Sequence, residues 1–129
     1  AAAGEVIRTV DGNYDRCHLD LTTWEPTCDG HPMISNRVEI QHDSGHISSY
    51  LHLRKDSVLV QVGQWVEPGE PLGLVGSSGR SVAPHLHFEL EDEDGLRIDP
   101  YAGDWSQPES FWCSQGHHSE LPGLCSTEE

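Results

Sequence analysis

Two histidines and a glutamate alternate along the segment Pro84-His85-Leu86-His87-Phe88-Glu89-Leu90. Successive side chains of a β-strand point to opposite faces, so His85, His87 and Glu89 are predicted to share one face while the apolar residues between them point into a core. Imidazoles held side by side on a strand can bind a metal ion and transfer protons beside it. The spacing alone is equally compatible with a strand that carries two solvent-facing histidines.

A second alternating segment adds a third imidazole. His52 lies in Ser49-Tyr50-Leu51-His52-Leu53, between apolar residues and just before a polar break at Arg54-Lys55-Asp56. The two segments together favour a histidine site over two unrelated surface strands.

Composition limits the class of protein. The chain has 129 residues, which is enough for one domain with a single hydrophobic core. Its 7 basic and 22 acidic residues give a formal net charge of −15, which argues against a nucleic-acid partner because such binding requires basic surface. No run approaches the roughly 20 apolar residues of a membrane span, so no transmembrane segment is expected. The first residues lack the features of a signal peptide, and an export signal is expected upstream or already removed.

Four cysteines indicate the redox environment. They lie in two local pairs, Cys17 with Cys28 and Cys113 with Cys125. Four cysteines allow three pairings, among which the sequence does not choose. Two short-range disulfides are favoured, and they indicate an oxidising, extracytoplasmic setting: secreted, periplasmic or cell-surface. The alternative is a zinc site formed by Cys113, His117, His118 and Cys125, although adjacent histidines do not easily aim at one ion.

The chain is predicted to be all-β. Alternating segments at residues 4–10, 37–42 and 46–53 are separated by turn residues, and no segment has helical periodicity. A compact antiparallel sheet domain is expected over residues 1–102, with an aperiodic insertion at about residues 13–36 that Cys17 and Cys28 would staple. Residues 103–129 are predicted to be an irregular polar C-terminal extension packed on that domain.

Five motifs occur in an order that resembles the M23 (lysostaphin/LytM-type) zinc endopeptidases. They are Val38-Glu39-Ile40-Gln41-His42-Asp43-Ser44-Gly45, Tyr50-Leu51-His52-Leu53, Val66-Glu67-Pro68-Gly69-Glu70-Pro71-Leu72-Gly73, Gly76-Ser77-Ser78-Gly79 and His85-Leu86-His87-Phe88-Glu89. The resemblance implies a compact antiparallel β-sheet domain, one Zn²⁺ site, and cleavage of cross-bridge or glycine-containing peptides of peptidoglycan.

The resemblance also implies roles for individual residues. His87 corresponds to a zinc ligand, and His52 and His85 correspond to the pair that positions and deprotonates the attacking water or stabilises the developing oxyanion. Zinc lowers the pKa of water to about 7, where imidazoles shuttle protons. Glu89 is expected to orient one of these histidines from outside the ligand set.

The loop serines have a predicted role as well. Ser77 and Ser78, in the Gly-Ser-Ser-Gly motif, are expected to border the substrate groove.

One family motif does not occur in the sequence. The other two zinc ligands of the family come from a His-x-x-x-Asp segment that precedes the strand resembling Gly4-Glu5-Val6-Ile7. A catalytic zinc needs three protein ligands, so the chain as given is expected to be incomplete or inactive. His18 and Asp20 are speculative replacement ligands, since strand alternation would place both side chains on one face.

Two further functions differ in class from the peptidase. A non-catalytic M23-like module would bind cell wall or activate another hydrolase. A biotinyl or lipoyl carrier is the distant alternative, because the motif at residues 66–73 also resembles a hairpin of those domains. Such a carrier needs a lysine at an exposed hairpin tip, and the single lysine, Lys55, lies outside that context.

Overall fold

A computed structural model describes residues 2–116, and over these residues the chain forms strands and no helix. The strands are β1 (Gly4–Val10), β2 (His18–Leu19), β3 (Pro26–Thr27), β4 (Asn36–Gln41), β5 (Ile47–Leu53), β6 (Trp65–Val66) and β7 (His87–Glu91). Five of them form an antiparallel sheet in the order β6-β1-β4-β5-β7, and β2 pairs with β3 in a separate ribbon. The predicted all-β antiparallel fold is therefore confirmed.

The centre of the sheet follows from alternation in β4 and β5. Val38 and Ile40 of β4 are fully buried, and they lie opposite Tyr50 and Ser48 of β5. The turn between these strands is closed at Gly45, whose φ of 86° is accessible to glycine without steric cost. A one-residue shift in this register would turn the apolar side chains toward solvent, so the apolar pattern fixes the pairing of the two strands.

The core lies on one face of the sheet. Its buried members come from β1, β4, β5 and β6 and from the loop between β5 and β6: Val6, Val38, Ile40, Tyr50, Leu53, Val60 and Val66, with Phe88 of β7 packed against them. The rings of Tyr50 and Phe88 are 5.4 Å apart, which ties the edge strand β7 to the core. This packing fixes the position of β7, the strand that carries His87.

The alternation expected for residues 84–90 holds only from His87 onward. Leu90 is buried and Phe88 is partly buried, but Leu86 is 48% exposed instead of pointing into the core. The reason is that β7 begins at His87, so the residues before it belong to a loop and do not follow strand geometry.

The insertion is stapled by a disulfide between Cys17 and Cys28, as the local pairing of cysteines predicted. Cys113 is disulfide-bonded as well. The remaining members of the alternative zinc site, His117, His118 and Cys125, lie outside the described residues.

The described part of the C-terminal extension contacts the sheet through aromatic rings. Trp112 lies 5.5 Å from Phe88 and 5.6 Å from Tyr101, and Phe111 meets His46 edge-on at 5.0 Å between ring centroids. Over residues 2–116, no helix has the length and apolar character that crossing a membrane requires.

Candidate active site

Three imidazoles converge beside the end of β5 and the start of β7. One ligand-capable nitrogen from each of His52, His85 and His87 can be chosen so that all three lie within 4.8 Å of one another. The ring centroid of His52 is 4.7 Å from that of His85 and 5.6 Å from that of His87. Antiparallel pairing produces this arrangement, since Leu51 of β5 lies opposite His87 of β7.

His52 has an unusual backbone conformation. Its φ is 64°, in the left-handed region that non-glycine residues rarely adopt. Two contacts hold it there: its backbone N–H donates to Ser35 Oγ at 2.8 Å, and its Nδ1 lies 2.6 Å from the carbonyl oxygen of Ser78. Backbone conformations of this kind persist where the surrounding contacts determine them, and they cluster at functional sites.

The environment of His52 disfavours its charged form. The side chain is only 8% exposed, and this burial lowers the pKa of the imidazole below its ordinary value. The hydrogen bond to the Ser78 carbonyl opposes the shift, while charge on His85 and His87 adds to it. A neutral imidazole can accept a proton, as a general base must.

Carbonyl partners determine which nitrogen of His52 and His85 is protonated. A carbonyl oxygen only accepts hydrogen bonds, so His52 Nδ1–H donates to Ser78. His85 Nδ1 lies 2.7 Å from the carbonyl oxygen of Ala83 and donates to it in the same way. In both neutral rings, Nε2 therefore keeps its lone pair, which is available to a proton or a metal ion.

His87 has the opposite tautomer. Its Nε2 lies 2.7 Å from Glu89 Oε1, so Nε2–H donates to the carboxylate and Nδ1 keeps the lone pair. Arg97 reaches the same carboxylate oxygen at 3.3 Å, and the Glu89 side chain is only 16% exposed. Neutral imidazole nitrogens are ligands that zinc prefers, and a carboxylate behind a ligating histidine is its common partner. The donor set fits a zinc ion, with His87 Nδ1 as a ligand atom.

Ser77 and Ser78 are 1% and 0% exposed, and their hydroxyls face inward, in contrast to the expected groove-lining position. Ser78 Oγ accepts from the Asn36 N–H at 2.9 Å and donates to the Leu53 carbonyl at 2.8 Å. Ser78 contacts the site through its backbone carbonyl, which accepts a hydrogen bond from His52 Nδ1–H. Contact of either serine with substrate stays a prediction.

His18 and Asp20 do not join the three imidazoles. His18 Nε2 forms an ion pair with Asp29 Oδ1 at 2.9 Å, and Asp20 Oδ1 accepts from the N–H of Thr22 at 2.7 Å in a turn of the insertion. Within residues 2–116, the metal-capable group at this site consists of the three histidines alone. The structure therefore gives no support to His18 and Asp20 as replacement ligands.

Sequence reasoning missed three residues that contact the imidazoles or their partners. Ser35 and Ser81 lie in aperiodic loops, and Arg97 lies beyond the acidic turn that follows β7. Ser81 Oγ is 3.3 Å from His85 Nδ1. No spacing signal in the sequence distinguishes these residues from other loop residues, because their contacts depend on how the loops pack.

Comparison with known proteins gives a consistent picture. The model of peptidase family M23 matches residues 26–100, more than half of the chain. Peptidoglycan DD-endopeptidase ShyA of Vibrio cholerae is 48% identical over 60 residues, which are 46% of this chain and 14% of ShyA. Lysostaphin of Staphylococcus simulans is 46% identical over 50 residues, which are 39% of this chain and 10% of lysostaphin.

A solved structure shares the fold. A zinc-containing peptidase from Vibrio cholerae superposes with a TM-score of 0.57 at 31% identity, over 80% of this chain and 25% of that one. The chain therefore corresponds to only a small part of the length of the relatives that it matches.

Proposed function

This chain belongs to peptidase family M23, and on that basis we propose that it is a zinc metalloendopeptidase domain that acts on peptidoglycan. The observation that carries the proposal is the convergence of His52, His85 and His87, each with one unprotonated nitrogen. Cross-bridge or glycine-containing peptides are the proposed substrates. The relative named peptidoglycan DD-endopeptidase ShyA supports peptidoglycan as the polymer that contains the substrate.

The three histidines have different proposed roles. His87 would hold a zinc ion through Nδ1, as one of the three protein ligands that a catalytic zinc needs, and Glu89 orients the ring through its hydrogen bond to Nε2. His52 and His85 present Nε2 lone pairs that accept a proton from the attacking water and return it to the leaving amine. Zinc, when bound, polarises the scissile carbonyl and lowers the pKa of water.

An oxidising location fits this function. The disulfide between Cys17 and Cys28 and the disulfide-bonded state of Cys113 are typical of proteins outside the cytoplasm. Peptidoglycan lies in that compartment, so the proposed enzyme and its substrate would meet there.

Digestion of purified peptidoglycan tests the proposal. The chain is extended before β1 by a His-x-x-x-Asp segment, from which the family takes its other two zinc ligands, and is incubated with sacculi and added zinc. Released muropeptides are identified by mass spectrometry. We expect cleavage of peptide bonds that is lost in His85→Ala and His52→Ala and retained in His46→Ala, a matched change at a turn histidine outside the cluster. Binding of sacculi without any release of fragments would contradict the proposal.

That contrary result would identify the second candidate, a non-catalytic module that binds cell wall. It is favoured by one observation: within the described residues, no carboxylate belongs to the metal-capable group. Sedimentation of the chain with sacculi separates the two functions, since binding that persists in His85→Ala would be independent of chemistry at the imidazoles.

A further inference from the structure

Arg37 and Glu39 lie on the face of the sheet that points away from the core. Val38, the residue between them in β4, is fully buried in the core, and side chains alternate along the strand. An ion pair between Arg37 Nη2 and Glu39 Oε1 joins the two side chains. Arg8 of β1, which is paired with Glu39 in the sheet, reaches the same carboxylate oxygen at 3.7 Å. Two guanidinium groups therefore share one carboxylate.

The same face of the sheet carries the imidazole of His87. Glu39 lies opposite Ser49 of β5, and Ser49 lies opposite Glu89 of β7. Side chains of directly opposite residues lie on one face of a sheet, and Glu89 is hydrogen-bonded to His87. The guanidinium groups and the proposed metal ligand therefore lie on one face, with β5 between them.

Two strand spacings separate Arg37 from His87. His87 of β7 is paired with Leu51 of β5. Tyr50, the residue before Leu51, is paired with Val38 of β4, so Arg37 lies beside Leu51 on the side away from His87. Adjacent strands are about 4.8 Å apart, which places the backbone of Arg37 roughly 10 Å from that of His87. About three residues of extended peptide span this distance, since each advances the chain by about 3.3 Å.

The guanidinium group of Arg37 has a donor that no described residue satisfies. Glu39 accepts from Nη2, whereas Nε is buried without a hydrogen-bond partner among residues 2–116. Buried N–H groups in folded proteins nearly always have an acceptor. The side chain of Arg37 is 23% exposed, so an acceptor can reach the guanidinium group from solvent.

The local charge favours an anionic acceptor. Arg8 and Arg37 carry two positive charges against the one negative charge of Glu39, in a chain whose formal net charge is −15. Glu5 of β1 is exposed and is paired with Gln41, one row further from the imidazoles. A carboxylate is the anionic group of a peptide, and arginine forms charge-assisted hydrogen bonds with it.

We propose that Arg37 is a substrate-binding residue that holds a carboxylate group of the peptide about three residues from the scissile bond. Arg8 supports it by offsetting the charge of Glu39, which leaves Arg37 able to bind a second anion. The inference rests on the proposed function, in which the scissile bond lies beside His87. A peptide with a carboxylate at this distance is therefore bound more tightly than one that ends in an amide.

Two peptides test the proposal on the native chain: N-acetyl-tetraglycine with a free carboxylate, and the same peptide with a C-terminal amide. Each is titrated into the full chain with chelator present, and the Nε–H signal of Arg37 is followed by ¹H–¹⁵N NMR. We expect the free acid to shift this signal and to bind roughly ten-fold more tightly than the amide, a factor typical of one charge-assisted hydrogen bond. Equal dissociation constants for the two peptides, or a free acid that leaves the signal unchanged, would overturn the inference.

Variants assign the effect to Arg37. Arg37→Gln should weaken binding of the free acid roughly ten-fold and leave binding of the amide unchanged. Arg80→Gln is the matched control, because it removes the same charge from a side chain that is 71% exposed and pairs with Glu25 of the insertion, and it should retain the native affinity.

Arg37→Lys replaces Arg37→Gln if the latter does not fold. Lysine keeps the charge but lacks the planar set of donors, so a smaller loss of affinity for the free acid is expected. Native affinity for the free acid in the folded Arg37 variant would overturn the inference. Because no hydrolysis is measured, a lack of peptidase activity would contradict the proposed function only.

Discussion

Glu89 and His87 are joined by a hydrogen bond of 2.7 Å that determines which atom of His87 can bind a metal. The carboxylate takes the proton of Nε2, so the lone pair is on Nδ1. Arg97 lies 3.3 Å from the same oxygen and stabilises its negative charge. The two side chains lie two residues apart on β7, so strand alternation places them on one face.

Glu89→Gln should weaken zinc binding without removing it. The amide still accepts a hydrogen bond but lacks the charge that raises the basicity of His87, and loss of such a partner typically costs 10- to 100-fold in metal affinity. Competition with a chromophoric chelator measures the dissociation constant. Arg97→Gln should cause a smaller loss, because Arg97 is 74% exposed and acts only through Glu89. Equal affinities of native and Glu89→Gln proteins would contradict this role.

His87→Ala should remove bound zinc altogether. A ligand nitrogen is lost, and no carboxylate within residues 2–116 belongs to the group that could replace it. Elemental analysis after dialysis gives the zinc content of the native chain and the variant. His46→Ala is the matched control and should retain the native content. Zinc that stays bound in His87→Ala would show that another residue supplies the ligand.

The ion pair between His18 and Asp29, both within the insertion, should make the local stability of the insertion depend on pH. The hydrogen bond to Asp29 raises the pKa of His18 above 6.5, so its contribution is complete below 6.5 and is lost as pH rises through the raised value. Hydrogen bonds from Tyr14 and His18 lower the pKa of Asp29 below 3.8, so its contribution is complete above 3.8 and is lost as pH falls through the lowered value. The pair is therefore strongest between about pH 3.8 and pH 6.5.

NMR titration of His18 tests this pH range. In Asp29→Asn, the pKa of His18 should fall toward its ordinary value, because the carboxylate that stabilises the imidazolium is gone. Tyr14→Phe keeps the carboxylate of Asp29 and removes one of the hydrogen bonds that it accepts. The pKa of His18 should therefore stay above its ordinary value. A His18 pKa that is the same in Asp29→Asn and the native protein would show that the pair does not form in solution.

Ile40→Ala should strongly destabilise the domain. Ile40 is fully buried in the centre of the sheet, and a change of this kind costs about 2–5 kcal/mol in the free energy of unfolding. Urea denaturation followed by fluorescence measures the change. Val62→Ala, at a side chain that is 62% exposed, should stay within about 0.5 kcal/mol of the native protein. Similar losses in both variants would argue against the described core.

The sheet and the three site histidines are predictable from local patterns in the sequence. Alternation at residues 46–53 predicted β5, and alternation from His87 to Glu89 predicted their shared face. These signals are local, because the period of two is a property of the strand backbone. The order of five motifs predicted the family, and the match of the M23 family model over residues 26–100 confirms it.

The protonated nitrogen of each imidazole and the loops that hold the ring depend on tertiary contacts. The carbonyl on His52 comes from Ser78, 26 positions away, and the hydroxyl of Ser77 donates to the carbonyl of Cys17, 60 positions away. The fold also pairs His18 with Asp29, whereas alternation predicted that His18 and Asp20 share one face. Such contacts depend on strand register, loop packing and a disulfide acting together. No local pattern encodes them, because the partners are brought together only when the whole chain has folded.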